Sequence, residues 1–255
     1  MRYALAMVAA LLSSAPALRA DDAADARAVI DKAIKAHGLK PGDEKLAVQW
    51  KERGTVPQAD KSELRVAATW TFRPPDRFRY HLVLTIDKQE HELVYVVNGE
   101  KVQTLTGAND YELEDDQKAN GLAMIHREWI TTLTPLAGTD FTLGTAKGKD
   151  VAGKPAVGVR VSSGKRTIAT LYFDKASGLL VKREALVREL LAPPNAKEVL
   201  EEAFYSGYKE VDGRQVYTKR RWLTGGGDEY EATLSDHTFL KRVDAKLFEK
   251  PVYKP

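Results

Sequence analysis

Residues 64–86 read LRVAATWTFRPPDRFRYHLVLTI. Leu64, Val66, Ala68, Trp70 and Phe72 alternate with Arg65, Thr69, Thr71 and Arg73, and Phe78, Tyr80, Leu82, Leu84 and Ile86 repeat at the same spacing of two. Successive side chains on a strand point to opposite faces, so each run is a strand with one apolar face. Pro74-Pro75-Asp76 ends the first run and turns the chain. Two such runs with no helix between them read as a meander rather than a βαβ unit.

The pattern extends both ways. Leu46–Trp50 alternates before it. After it, a turn near Asp87-Lys88 leads into Glu92–Val97, and Asn98-Gly99 turns into Lys101–Thr106. Further strands are expected over Phe141–Thr145, Ala156–Val161, Arg166–Phe173, Leu180–Arg188, Val199–Tyr208, Gln215–Leu223 and Asp228–Thr238, with a surface loop at Leu191–Asn195. Helical spacing occurs twice. Asp22–His37 sets Ala26, Val29, Ile30, Ala33 and Ile34 on one face and stops at Gly38. Residues 113–137 carry Leu122, Ile125, Trp129 and Leu133 and close at Pro135. The expected fold is mainly β: one curled antiparallel sheet of about eleven strands, with an N-terminal helix and mid-chain helices across its open side. Residues 21–255 form its single domain.

Met1-Arg2, the apolar run Ala4–Leu12 and the small residues of Ser13–Ala20 have the order of a secretory signal peptide. That run is too short to span a bilayer, which takes about 20 apolar residues. Residues 1–20 are therefore expected to be cleaved, after Ala17 or Ala20, leaving a soluble periplasmic protein. The chain contains no cysteine, which excludes disulfides and a lipidated N-terminus. Losing Arg2 and Arg19 from 39 basic residues, against 36 acidic ones, leaves a mature charge near +1. A nucleic-acid partner has no electrostatic footprint here.

Signals of chemistry are sparse. There is no G-x-S-x-G elbow, H-E-x-x-H pair or phosphate-binding glycine loop. The five histidines are scattered. His81 and His91 are expected on adjacent strands, but Glu90 and Glu92 should face away from His91, which opposes a metal site. Glu112, Glu114, Asp115 and Asp116 lack calcium-loop spacing and read as a helix start. No catalytic residue, metal or cofactor is expected. The aromatic residues say more. Trp50, Trp70, Phe72, Phe78 and Tyr80 fall on three successive strands and share one face with Leu82 and Leu84. A curled sheet has no second sheet to cover that face, so it is the candidate lining of a hydrophobic cavity.

The segment Thr69–Tyr80 resembles the strand-turn-strand of the LolA-type lipoprotein carriers, W-x-x-R-P with a following Phe. Val97-Asn98-Gly99-Glu100-Lys101-Val102 is similar to their next hairpin. Tyr172-Phe173-Asp174 with Gly178-Leu179-Leu180 resembles a later one, and Asp244–Pro251 resembles their D-x-x-x-F-x-x-P ending. The ordered set spans residues 25–251. The resemblance implies a half-barrel that holds lipoprotein acyl chains or another lipid, with lid helices in 113–137 and Arg73 contacting that lid. It implies non-covalent transfer between membrane-anchored donor and acceptor proteins, and no enzyme activity. Two alternatives remain: a lipoprotein-sensing domain of the RseB type acting with a protein partner, and a small-molecule enzyme on the same fold. The chain departs from the family in its greater length, its extra turn residue and its long 187–200 connection.

Overall fold

A computed structural model describes residues 20–57, 63–106, 109–111, 115–188 and 196–252. The expected signal peptide lies outside the described residues apart from Ala20. So do Glu112, Glu114 and the loop Leu191–Asn195.

Helix α1 (Ala20–Ala36) leads through a 3-10 turn (Asp43–Lys45) into β1 (Ala47–Pro57), β2 (Glu63–Arg73), β3 (Arg77–Ile86), β4 (Gln89–Asn98), β5 (Lys101–Thr106) and β6 (Asn109–Tyr111). Helix α2 (Asp115–Thr131) and a 3-10 turn (Thr134–Ala137) follow. Then come β7 (Thr142–Val151), β8 (Lys154–Ser163), β9 (Arg166–Asp174), β10 (Leu180–Val187) and β11 (Val199–Ser206). The chain ends with β12 (Lys209–Val211), β13 (Arg214–Val216), β14 (Lys219–Thr224), β15 (Asp228–Leu240) and a 3-10 turn (Ala245–Phe248).

The expected single antiparallel sheet is present. Among the described residues it has 13 strands rather than about eleven, in the order β6-β5-β4-β3-β2-β1-β15-β14-β11-β10-β9-β8-β7, with β12 and β13 as a separate ribbon. The extra elements, β6 and that ribbon, are three residues each, too short for a periodicity to show. β1 runs to Pro57 rather than stopping at Trp50. The sheet is two meanders joined where β1 pairs β15. Its free edges, β6 and β7, are the strands on either side of α2 in the sequence, so the chain crosses from edge to edge through that helix.

Register sets the inner face. Trp50, Trp70, Tyr80 and Tyr95 stand directly opposite one another across β1–β4, and Val48, Phe72, Phe78, Val97 and Val102 form the neighbouring row across β1–β5. Ile125 of α2 covers these rows. The other meander is covered by α1, whose Ala26, Ile30 and Ala33 are wholly buried against Val159, Val161, Leu171 and Phe173. α1 stops where Gly38 takes φ +68°, and a side chain there would run into the backbone of Gly213 in the β12–β13 turn.

The C-terminal 3-10 turn packs on the outer face. Phe248 packs on Val94, Val96 and Leu105. Asp244 caps its 3-10 turn by accepting from Lys246 N at 3.0 Å, and Arg79 Nη1 donates to Leu247 O at 3.2 Å. The Phe of the C-terminal D-x-x-x-F-x-x-P segment is thus a core residue.

Candidate functional site

The inner aromatic face is mostly filled. Trp50, Trp70, Phe72 and Phe78 are at most 3% exposed. Trp50 and Trp70 stack at 5.8 Å between ring centres, Phe72 and Phe78 tilt at 4.7 Å, and Leu122 and Ile125 pack over them. Trp129 touches both core clusters, and Leu133 is buried in the α1 half at φ +61°. The expected cavity residues therefore separate into two groups. The four deepest are core, while Tyr80, Leu82 and Leu84 line an open groove of ≈ 310 Å³. Its other apolar walls are Val56, Leu64, Val66, Trp222 and Tyr230, with Glu201 and Thr224 at the polar side.

Between the filled half and the groove lies a charged cluster that no motif announces. Arg220 Nη1 donates to Glu128 Oε2 of α2 at 2.7 Å, and its Nη2 donates to Glu52 Oε2 of β1. Arg183 Nη1 lies 3.1 Å from Glu128 Oε1, and Arg183 Nη2 donates to Glu201 Oε1 at 2.5 Å. Trp70 Nε1 donates to Glu52 Oε2 at 2.8 Å. The side chains of Glu52, Glu128, Arg183 and Arg220 are at most 2% exposed. Arg127, buried beside them, is drawn down to about 10 by burial and then by the like charge of Arg183, and stays protonated at neutral pH.

An unpaired charge in such surroundings costs several kcal/mol, so these groups hold one another in place. Their effect is mechanical. Glu128 ties the last turn of α2 to β10 and β14, and Glu52 brings β1 into the same network. The Trp222 ring lies 3.9 Å under the Arg220 guanidinium. The sequence carries one signal of the cluster: Glu52 holds the period-two position of Val48 and Trp50, where an apolar residue belongs. Arg183 holds the period-two position of the buried Ala185 and Val187 on β10 in the same way, and Arg220 that of the half-buried Trp222 on β14.

The phenols around the groove stay neutral. Burial, reinforced by the Glu52 carboxylate, pushes Tyr80 and Tyr230 well above the usual range. Two donors in this wall, Trp222 Nε1 and the Tyr230 hydroxyl, are buried without a hydrogen-bond partner of good geometry.

Arg73, expected to contact the lid, sits at a small cleft of ≈ 100 Å³ shared with Leu122, Ile125, His126 and Trp129 of α2. Its Nη1 donates to Lys241 O at 3.1 Å, so this hydrogen bond goes to the chain after β15 and not to the helix. The arginines hydrogen-bonded or ion-paired to the helical cover are Arg183, Arg220 and Arg27, whose Nη1 donates to Leu136 O at 2.5 Å. His81 and His91 lie on adjacent strands but on opposite faces, and His81 Nε2 meets Glu92 Oε1 at 2.5 Å. Among the described residues, no group of three His, Asp or Glu gathers as a metal site. No helix among them is long and apolar enough to cross a membrane.

No protein-family model matches the sequence, and no curated protein matches it. Solved structures do. A LolA superfamily protein from Nitrosomonas europaea is 12% identical, with 88% of this chain and 97% of that chain aligned at a TM-score of 0.56. An outer membrane lipoprotein-sorting protein domain from Vibrio parahaemolyticus is 9% identical, with 89% and 97% aligned at 0.51. At such identities the likeness concerns the fold, and this chain has the half-barrel fold of LolA superfamily proteins.

Proposed function

We propose that the chain is a lipid carrier of the cell envelope, exported with loss of residues 1–20, that holds an apolar ligand and passes it on without covalent chemistry. The ligand class is an acyl chain, on a lipoprotein or another lipid, and membrane-anchored donor and acceptor proteins supply and receive it. The observation that carries this reading is the groove along Val56, Leu64, Val66, Tyr80, Leu82 and Leu84, a predominantly apolar surface left open on the inner face beside the packed aromatic rows. The similar fold of the Vibrio parahaemolyticus lipoprotein-sorting protein domain supports it. No residue is assigned a catalytic role.

Burial of a methylene contributes about 0.8 kcal/mol, and a micromolar complex corresponds to roughly −8 kcal/mol, so about ten methylenes suffice. An apolar fluorescent probe should bind at micromolar concentration and be displaced by lipids carrying acyl chains. Leu84→Glu places a charge in the groove wall and should remove binding in a folded protein. A folded Leu84→Glu variant that binds the probe like the wild type sinks this reading. N-terminal sequencing of the protein from its native compartment should begin at Leu18 or Asp21. A chain retaining Met1 in the cytoplasm would overturn the export claim.

A further inference from the structure

The groove also limits what the ligand is. Resting on the lipid-binding reading above, we propose that it takes a single hydrocarbon chain ending in a neutral hydrogen-bond acceptor, an ester or amide carbonyl. It would then not favour a fatty-acid anion or a lipid of two or three chains.

Capacity is the first reason. At roughly 30 Å³ for each carbon-sized group, a groove of ≈ 310 Å³ holds about one chain of ten carbons. The groove has no deeper extension under α2, because Trp50, Trp70, Phe72 and Phe78 pack there against Leu122 and Ile125.

Charge is the second. No Lys or Arg stands among the groove's described lining residues, and its one ionisable acid, Glu201, is already paired with Arg183. Behind the wall, Glu52, Glu128 and Glu201 are matched in number by Arg127, Arg183 and Arg220. An entering carboxylate or phosphate would lose its water beside Glu201 and find no unpaired cation among the described lining residues. A carbonyl carries no such penalty.

Donors are the third. Trp222 Nε1 can only donate, and the Tyr230 hydroxyl stays protonated. Both belong to lining residues; Trp222 Nε1 lacks a partner, and the Tyr230 hydroxyl, which faces the Glu52 carboxylate, has none of good geometry. A carbonyl oxygen brought against this wall satisfies groups that the protein alone leaves unmade.

Competition against the bound fluorescent probe, with the full chain at pH 8, tests the idea using monododecanoylglycerol, dodecanoate and didodecanoylglycerol. The monoester should displace the probe at the lowest concentration, about tenfold below dodecanoate. Trp222→Phe and Tyr230→Phe should each weaken the monoester about fivefold more than they weaken the probe itself, titrated directly, with thermal unfolding checking the fold. Tyr230→Phe, which lacks a single oxygen, decides if Trp222→Phe fails to fold. Tighter binding of the anion or the diester, or variants that bind the monoester like the wild type, overturns the proposal. Displacement by no lipid at all overturns the lipid-carrier reading instead.

Discussion

Glu128 of α2 and Arg220 of β14 meet at 2.7 Å inside the hollow of the sheet, and neither side chain is more than 2% exposed. The second oxygen of Glu128 faces Arg183 at 3.1 Å, so one carboxylate fastens the helix to two strands. Removing one partner of a buried pair leaves the other charge uncompensated. Arg220→Met strands Glu52 without its cation, leaves Glu128 with Arg183 alone, and should destabilise the protein by about 3–5 kcal/mol. Urea unfolding should show this as a lower midpoint at unchanged slope. A change below about 1 kcal/mol would mean that water reaches the cluster and that α2 is not held by it.

Stability should fall in acid in two separate windows. Burial pulls His37 down to about 4, so the folded protein keeps the neutral ring while the unfolded chain takes up a proton below about 6.5. Stability is complete above that value and is lost as pH falls towards 4, by about 3 kcal/mol in all. His237, also lowered to about 4 by burial, acts in the same direction. Glu184 defines the second window. Burial alone would raise it, but hydrogen bonds from Lys149, Lys182 and Tyr172 outweigh that and bring it down to about 2. Its contribution is present above the usual carboxylate range and fades between about 4.5 and 2. Urea midpoints at pH 7.5, 5 and 4 should decline for the wild type and decline less for His37→Gln. Parallel curves would show that His37 titrates normally.

The fold was legible because the sheet advertises itself by a period of two. Leu64–Phe72 and Phe78–Ile86 name both strands, their turn and their common face. What that face does was less legible. Alternation shows that Trp70 points inward, and not whether helix or solvent lies above it; α2 supplies the answer from fifty residues away. Glu52, Arg183 and Arg220 were harder still, since one polar residue in an apolar row reads as noise until its partners on α2, β10 and β14 are assembled around it. Their chemistry lies in contacts separated by up to 168 residues.

Trp70 and Leu82, neighbours on the inner face, should answer to different assays. Trp70 is buried, stacked and hydrogen-bonded to Glu52, so Trp70→Ala should cost about 3–5 kcal/mol and report on folding. Leu82 is half-buried at the groove, so Leu82→Ala should cost about 1 kcal/mol and weaken probe binding. The comparison needs only unfolding midpoints and probe titrations of the two variants. Loss of probe binding in a stable Trp70→Ala protein, with Leu82→Ala unaffected, would move the ligand to the aromatic rows under α2.

Gly121 decides how closely α2 lies on the sheet. In most helix interiors, Gly→Ala stabilises by about 1 kcal/mol. Here a Cβ would come 1.5 Å from the Tyr95 hydroxyl oxygen and 2.4 Å from its Cζ, a distance that only displacement of helix or ring relieves. Tyr95 is wholly buried between Phe78 and the helix and has little room to turn. Overpacking of this kind costs about 1–3 kcal/mol. Raising α2 would also stretch the Glu128 contacts with Arg183 and Arg220. Gly121→Ala should therefore destabilise by about 1–2 kcal/mol, the overpacking outweighing the propensity gain. Tyr95→Phe deletes the nearer oxygen but leaves the ring carbon, so the double variant should recover part of the loss as a coupling of about 0.5–1 kcal/mol. Thermal unfolding of the two single variants and the double variant completes that cycle. If Gly121→Ala raises the midpoint instead, α2 does not rest on Tyr95, and the helix stands further from the sheet than its contacts here require.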